Sequence, residues 1–177
     1  RLDREPPSMA RVALDAVIDE VLLVLDQKGH KDGAMVPIQL HRDPLPEVIG
    51  NRNLLDQLFS NMLNNAVRYR SERPLEVWIQ SKESEGFCEV SIRDNGIGFH
   101  DKDREVIFEM FHRLHRQDEI PGSGFGLAIC QKIALCHGGR IWADGRQGEG
   151  ATFHVALPLH GQPAVLQPFR ADPLQGD

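Results

Sequence analysis

Asn61, Asn65 and Arg68 follow Leu54 and Leu58 at spacings of three or four residues. On a helix they form one stripe that begins apolar and ends in two amides and a guanidinium. Leu55, Phe59, Met62, Ala66 and Tyr69 run beside it. The apolar half of the stripe is expected to face a sheet, with the polar half pointing to the same side. A buried amide without partners costs about 1–3 kcal/mol, so this pair needs solvent or a polar ligand. One Asn at a helix edge is an ordinary surface residue; two Asn, an Arg and a Tyr in register are harder to explain that way. An Asn oxygen is a hard ligand suited to Mg2+, which keeps several waters and shares phosphate oxygens.

Two glycine-rich stretches add to this. Asp94-Asn95-Gly96-Ile97-Gly98 leaves an alternating run, Glu89 to Arg93. It reads either as a tight turn or as the floor of a ligand pocket with a carboxylate beside it. Gly122-Ser123-Gly124-Phe125-Gly126-Leu127-Ala128 leads into a helix, whose first N–H groups and dipole favour phosphate. No Gly-Lys-Ser/Thr follows, so it is not a Walker A loop. A long loop rather than a strand precedes it, so it is not a Rossmann fingerprint either.

The elements that must position these residues can be read from periodicity. Apolar residues from Ala10 to Leu25 recur at helical spacing. Short strands are expected around Ile38–Leu40 and Glu47–Ile49, and a second helix capped by Asn51 runs to about Tyr69. Leu75–Gln80 and Phe87–Arg93 read as strands across the turn Ser-Lys-Glu-Ser-Glu-Gly. Residues 99–125 are irregular, with a short helical piece near Glu105–Phe111. Gly126–Cys136 reads as a helix ended by His137-Gly138-Gly139, before strands at Arg140–Ala143 and Thr152–Leu157. Mixed elements with hairpin connections favour an α+β two-layer sandwich over a doubly wound parallel sheet.

The chain has 177 residues with a net charge of −6, enough for one core and against a broad nucleic-acid face. Cys88, Cys130 and Cys136 lack metal-ligand spacing and sit among apolar residues. They read as reduced core side chains of a cytoplasmic protein. No apolar run is long enough to cross a bilayer.

The motifs form one collinear series. Asn61-Met62-Leu63-Asn64-Asn65-Ala66-Val67-Arg68-Tyr69 resembles the N box of sensor histidine kinases, whose ATP-binding catalytic domains belong to the superfamily of gyrase B and MutL. Asp94 to Gly98 resembles the first glycine box, Ile107-Phe108-Glu109-Met110-Phe111 the F box, and Gly122 to Ala128 the second glycine box. Gly148-Glu149-Gly150-Ala151-Thr152-Phe153 completes the order. The resemblance spans residues 10–158, and its wording is most similar to kinase modules of phytochrome-like light sensors. It implies a Bergerat ATP-binding fold: a mixed, mostly antiparallel sheet under helices, with a long ATP lid. Residues 1–9 would be the end of a linker from a helical dimerisation domain, and 159–177 a disordered tail.

The resemblance also assigns roles. Asp94 would accept the adenine amino group, with the backbone of Gly96, Ile97 and Gly98 against the purine. Asn65 would bind Mg2+, assisted by Asn61, and Arg68 would meet phosphate where the family more often has Lys. Tyr69 would lie over the nucleotide, and Thr152 would touch adenine. Gly122, Gly124, Gly126 and Leu127 would form the lid's end near the phosphates. Phe108 and Phe111 would anchor the lid between Phe99 and Phe125, and Arg113, with Arg116, would reach the γ-phosphate. His112 and His115 read as exposed lid residues, and Trp142 and Phe153 as core.

None of the eight histidines has the phosphoacceptor context of this family. The implied chemistry is therefore γ-phosphoryl transfer to a histidine on a dimerisation domain outside the chain, with a response regulator as the indirect partner. The chain is expected to be a monomer in isolation, nearly inactive alone, with no membrane contact. A nucleotide-binding regulatory module without transfer is the alternative, supported by Arg68 and by Gly145, where relatives often carry Ser. An ATP-gated clamp of the gyrase type is disfavoured, since those relatives place a Glu where Asn61 stands.

Overall fold

The computed structural model describes residues 8–28, 36–109 and 126–160. The motif residues Met110 to Phe125, including Phe111, Arg113, Arg116, Gly122 and Gly124, lie outside them, as do residues 1–7 and 161–177.

Among the described residues, seven strands and three α-helices make two layers. Strands β2 (Ile38–Arg42), β4 (Leu75–Ser84), β5 (Phe87–Asp94), β7 (Gly150–Pro158) and β6 (Arg140–Arg146) lie in that order in one sheet. Among the described residues only the β2–β4 pair is parallel. Helices α1 (Leu14–Lys28), α2 (Arg52–Arg68) and α3 (Gly126–Cys136) form the second layer, with α2 packed against both of the others. The α+β sandwich expected from the hairpin-rich order is the fold observed.

The first helix begins later than its periodicity suggests. Ala10–Ala13 forms a strand, β1, antiparallel to β3 (Glu47–Gly50), with Val12 opposite Val48. Two-residue alternation and three-to-four-residue spacing overlap over so short a run, and pairing with β3 decides it. From Leu14 onward the helical face is real: Leu14, Val17, Ile18 and Val21 are buried.

The charged turn expected between β4 and β5 is mostly strand. Ser84 pairs with Phe87, leaving a two-residue loop, Glu85-Gly86, with φ of 52° and 81°. Positive φ at both positions is the type I′ geometry that matches strand twist.

Helix α2 matches expectation closely. Asn51 caps it, its Oδ1 accepting from Leu54 N–H at 3.0 Å, and Tyr69 closes it. Helix α3 ends as expected at His137. Its ring is 3% exposed and bridges two helices: Nδ1 lies 2.7 Å from Ile133 O, and Nε2 accepts from Asn51 N–H at 3.0 Å. One nitrogen faces a carbonyl and the other an N–H, so both are satisfied only in the neutral Nδ1–H tautomer. The end of α3 is thereby tied to the start of α2.

Cys88 and Cys130 are buried and all three cysteines are free. Among the described residues no helix is long and apolar enough to cross a membrane.

Burial lowers the pKa of His137 below its ordinary 6.5, against a smaller opposing effect of the Ile133 carbonyl. The unfolded chain thus takes up the proton first. The His137 contribution to stability is present above pH 6.5 and lost as pH falls below it. The stability advantage of the wild type over His137→Gln is expected to shrink on acidification, by at most about 1.4 kcal/mol per pH unit. Urea unfolding of both proteins between about pH 7.5 and about pH 5.5 checks this; parallel profiles would refute it.

Candidate functional site

Strand parity places the central residue. Along β5, Cys88, Val90, Ile92 and Asp94 are buried in turn. Asp94 therefore holds a core-facing position with a carboxylate, 7% exposed. Its Oδ1 accepts from Gly96 N–H at 2.8 Å and Ala151 N–H at 3.3 Å. Burial pushes its pKa up to about 6 despite those two bonds. Neither bond uses Oδ2.

The loop after Asp94 is held from three sides. Ile97 N–H donates to Tyr69 O at 2.9 Å, and Gly148 N–H donates to Ile97 O at 2.7 Å. Asn95 Oδ1 accepts from Glu76 N–H at 2.9 Å, and Arg73 Nη2 donates to Asn95 O at 2.8 Å. The glycines serve this packing first. A Cβ at Gly96 would strike Tyr69 O, and one at Gly98, whose φ is +62°, would strike Arg146 O and Gly150 O. Gly98 lines the adjoining cleft; Gly96 and Ile97 do not.

That cleft lies between α2, α3 and the sheet. Asp94, Gly98, Ala151, Asn65, Arg68 and Tyr69 line it. An apolar wall of Phe99, Ile107, Leu127 and Phe153 completes it with Gly126. Asn65 is 7% exposed, whereas Arg68 stands exposed at the end of α2. A cleft with an apolar wall, one buried carboxylate and an exposed cation fits a base beside the carboxylate and an anion beside the cation.

The structure thus brings together Asn65, Arg68, Tyr69, Asp94, Gly98, Gly126 and Leu127 of the expected set. Asn61 sits beside the cleft against α3, with its Oδ1 3.7 Å from a Cβ built on Gly126. The Cys130 thiol, one turn further, donates to Leu58 O at 3.6 Å. At Asn61 the stripe expected to face the sheet therefore faces α3 instead. Asn61 Nδ2 is buried without a hydrogen-bond partner. The Cys130 thiol, pushed up to about 12 by burial against a smaller opposing effect of Asn61, is at best a weak acceptor.

Phe108 is buried and stacks edge-on against Phe153, with centroids 6.4 Å apart, so it supports the wall from behind. Phe153, expected as core, is both core and wall.

Thr152 is a correction. Ala151 and Phe153 face the cleft, so alternation along β7 turns Thr152 to the opposite side. There it lines a second hollow with Arg93, Asp144 and Arg146. Ala151 holds the position by Asp94 instead. Strand register, absent from the motif's wording, decides between the two.

Asn65 fits a shared metal ion. Among the described residues no group of three or more His, Cys, Asp or Glu could hold one. An ion here would take few protein oxygens and complete its shell from a ligand and water, the habit of Mg2+.

Residues 50–161 match the family described as histidine kinase-, DNA gyrase B-, and HSP90-like ATPase. Cyanobacterial phytochrome A of Nostoc sp. is 38% identical over 162 residues, 92% of this chain but 21% of that protein. The mycobacterial sensor histidine kinase MprB superposes with a TM-score of 0.70 at 28% identity, covering 85% of this chain and 97% of that one. Full-length ShkA, solved in complex with AMPPNP, superposes at 0.69 with 26% identity over 89% of this chain and 32% of its own. This chain therefore belongs to the histidine kinase-, DNA gyrase B- and HSP90-like ATPases, as an ATP-binding catalytic domain of the histidine kinase kind.

Proposed function

We propose that residues 10–158 bind Mg-ATP and present its γ-phosphoryl group to a histidine on a dimerisation domain outside this chain. The observation that carries this reading is Asp94: a buried carboxylate lining the cleft beside its apolar wall, with two backbone donors on one oxygen. Oδ2 would accept a hydrogen bond from the amino group of adenine, and the apolar wall would cover the ring faces. The AMPPNP complex of ShkA, which shares this fold, supports a nucleotide in the cleft.

Toward the other end, Arg68 would neutralise phosphate charge with a permanently ionised guanidinium. Asn65 would hold Mg2+, which supplies charge neutralisation at the phosphates. In the transfer a nitrogen–phosphorus bond forms as the bond from γ-phosphorus to the bridging oxygen breaks, and ADP leaves. The protein's share is positioning and charge compensation, and none of its side chains acts as a nucleophile. The response regulator would then take the phosphoryl group from that histidine, away from this domain.

Asp94→Asn is expected to abolish ATP binding in a calorimetric titration while raising the unfolding temperature of the free protein. The folded-state pKa of Asp94 is raised from 3.8 to about 6, so its charge opposes folding at neutral pH, by an order of 1–3 kcal/mol. A variant that loses binding and stability together would mark Asp94 as merely structural.

ATP affinity of the wild type is expected to fall as pH drops through about 6, where the acceptor takes up a proton. A flat binding profile across that range would exclude Asp94 as the base acceptor.

Asn65→Ala is expected to retain weak, metal-independent nucleotide binding and to lose the increment that Mg2+ adds. Titrations with Mg2+ and with a chelator separate the two, and an intact increment would remove Asn65 from the metal site.

A further inference from the structure

We propose that Gly145 is a positioning residue that sets the width of the nucleotide cleft through the ring of Phe99, and so fixes the room a base has beside Asp94. This rests on the nucleotide reading above.

A Cβ built at Gly145 would lie 2.7 Å from Phe99 Cε1 and Cζ and 2.8 Å from Cδ1. Real Cβ atoms do not approach so closely, so any side chain here displaces the ring. Gly145 is not among the glycines with positive φ. Its backbone would accept an ordinary residue, and the requirement is one of size.

Phe99 also lines the cleft. Phe99 is 4% exposed and packs at 52° against Phe153, with centroids 6.4 Å apart. It is therefore wedged between the β6 backbone and the cleft. Gly145 also pairs with Ala151, whose N–H holds Asp94 Oδ1. The second hollow, which Gly145 lines, shares Asp94 and Ala151 with the cleft. Gly145 and Phe99 together form part of the partition between the two spaces. The cleft is the open volume next to the ring, so a ring pushed off Gly145 moves into it. Bulk at residue 145 and bulk at residue 99 thus trade against each other, and this chain combines the smallest residue at one with a full aromatic ring at the other.

The test is a double-mutant cycle over Gly145→Ser and Phe99→Leu, with Gly145→Ala as the milder variant. It is read by calorimetric titration of Mg-ATP and by thermal unfolding of the free proteins. Gly145→Ser alone is expected to weaken ATP binding about tenfold or more, the scale of one misplaced group in an apolar pocket. In the Phe99→Leu background the same substitution is expected to change affinity by less than about twofold. Equal losses in both backgrounds would overturn the proposal. Coupling seen only in unfolding temperature, with affinities unmoved, would reduce Gly145 to a packing residue and also overturn it. Failure of the wild type to bind ATP would instead sink the nucleotide reading, and it appears before any variant is compared. Should Gly145→Ser not fold, the same cycle with Gly145→Ala decides.

Discussion

One carboxylate held away from water organises this domain. Asp94 occupies a position that strand alternation reserves for the core, and its ionised form is disfavoured there. Two backbone N–H groups answer that cost, and they come from distant parts of the chain: Gly96 just beyond β5, and Ala151 at the start of β7. Bringing both within reach forces backbone onto backbone. A Cβ on Gly96 would meet the end of α2, one on Gly98 would meet the β6 carbonyl at Arg146, and one on Gly150 would meet Asp94 itself. The glycine pattern therefore follows from burying a charge at a strand end, before any ligand is considered.

The helical layer completes the site by a different kind of constraint. Asn65 and Arg68 ride on α2, and Gly126 and Leu127 open α3, so the shape of the cleft depends on how those helices lie against each other. The neutral His137 ring ties the end of α3 to the start of α2. Cys130 and Leu58 lock their middles. Hydrogen bonds far from the cleft thus fix the groove along which its polar residues are aligned.

Much of this was legible because the signals were local. Asn51 announced the start of α2 by its capping chemistry, and the stripe from Leu54 to Arg68 announced its polar residues, though not that Asn61 faces α3. Asp94 drew attention as a charge at the end of an apolar alternation. What escaped depended on partners distant in sequence. Ala10–Ala13 looked helical until β3 paired with it. Thr152 looked like the better polar contact, but register gives the place beside Asp94 to Ala151. The wall of the cleft joins Phe99, Ile107 and Phe153 from separate segments, and no spacing rule links them. Gly145 read as a departure from its relatives until the ring of Phe99 appeared against it.

The order of strands has a consequence for how the protein is made. β7, the last strand among the described residues, lies between β5 and β6 in the interior of the sheet. The Leu159 N–H then closes onto Gly86 O at the β4–β5 hairpin. A growing chain on the ribosome can form the β4–β5 hairpin early, but β5 keeps an open edge until β7 emerges. The Ala151 N–H reaches Asp94 only at that step. The nascent domain therefore cannot complete the floor around Asp94 before its sheet is sealed.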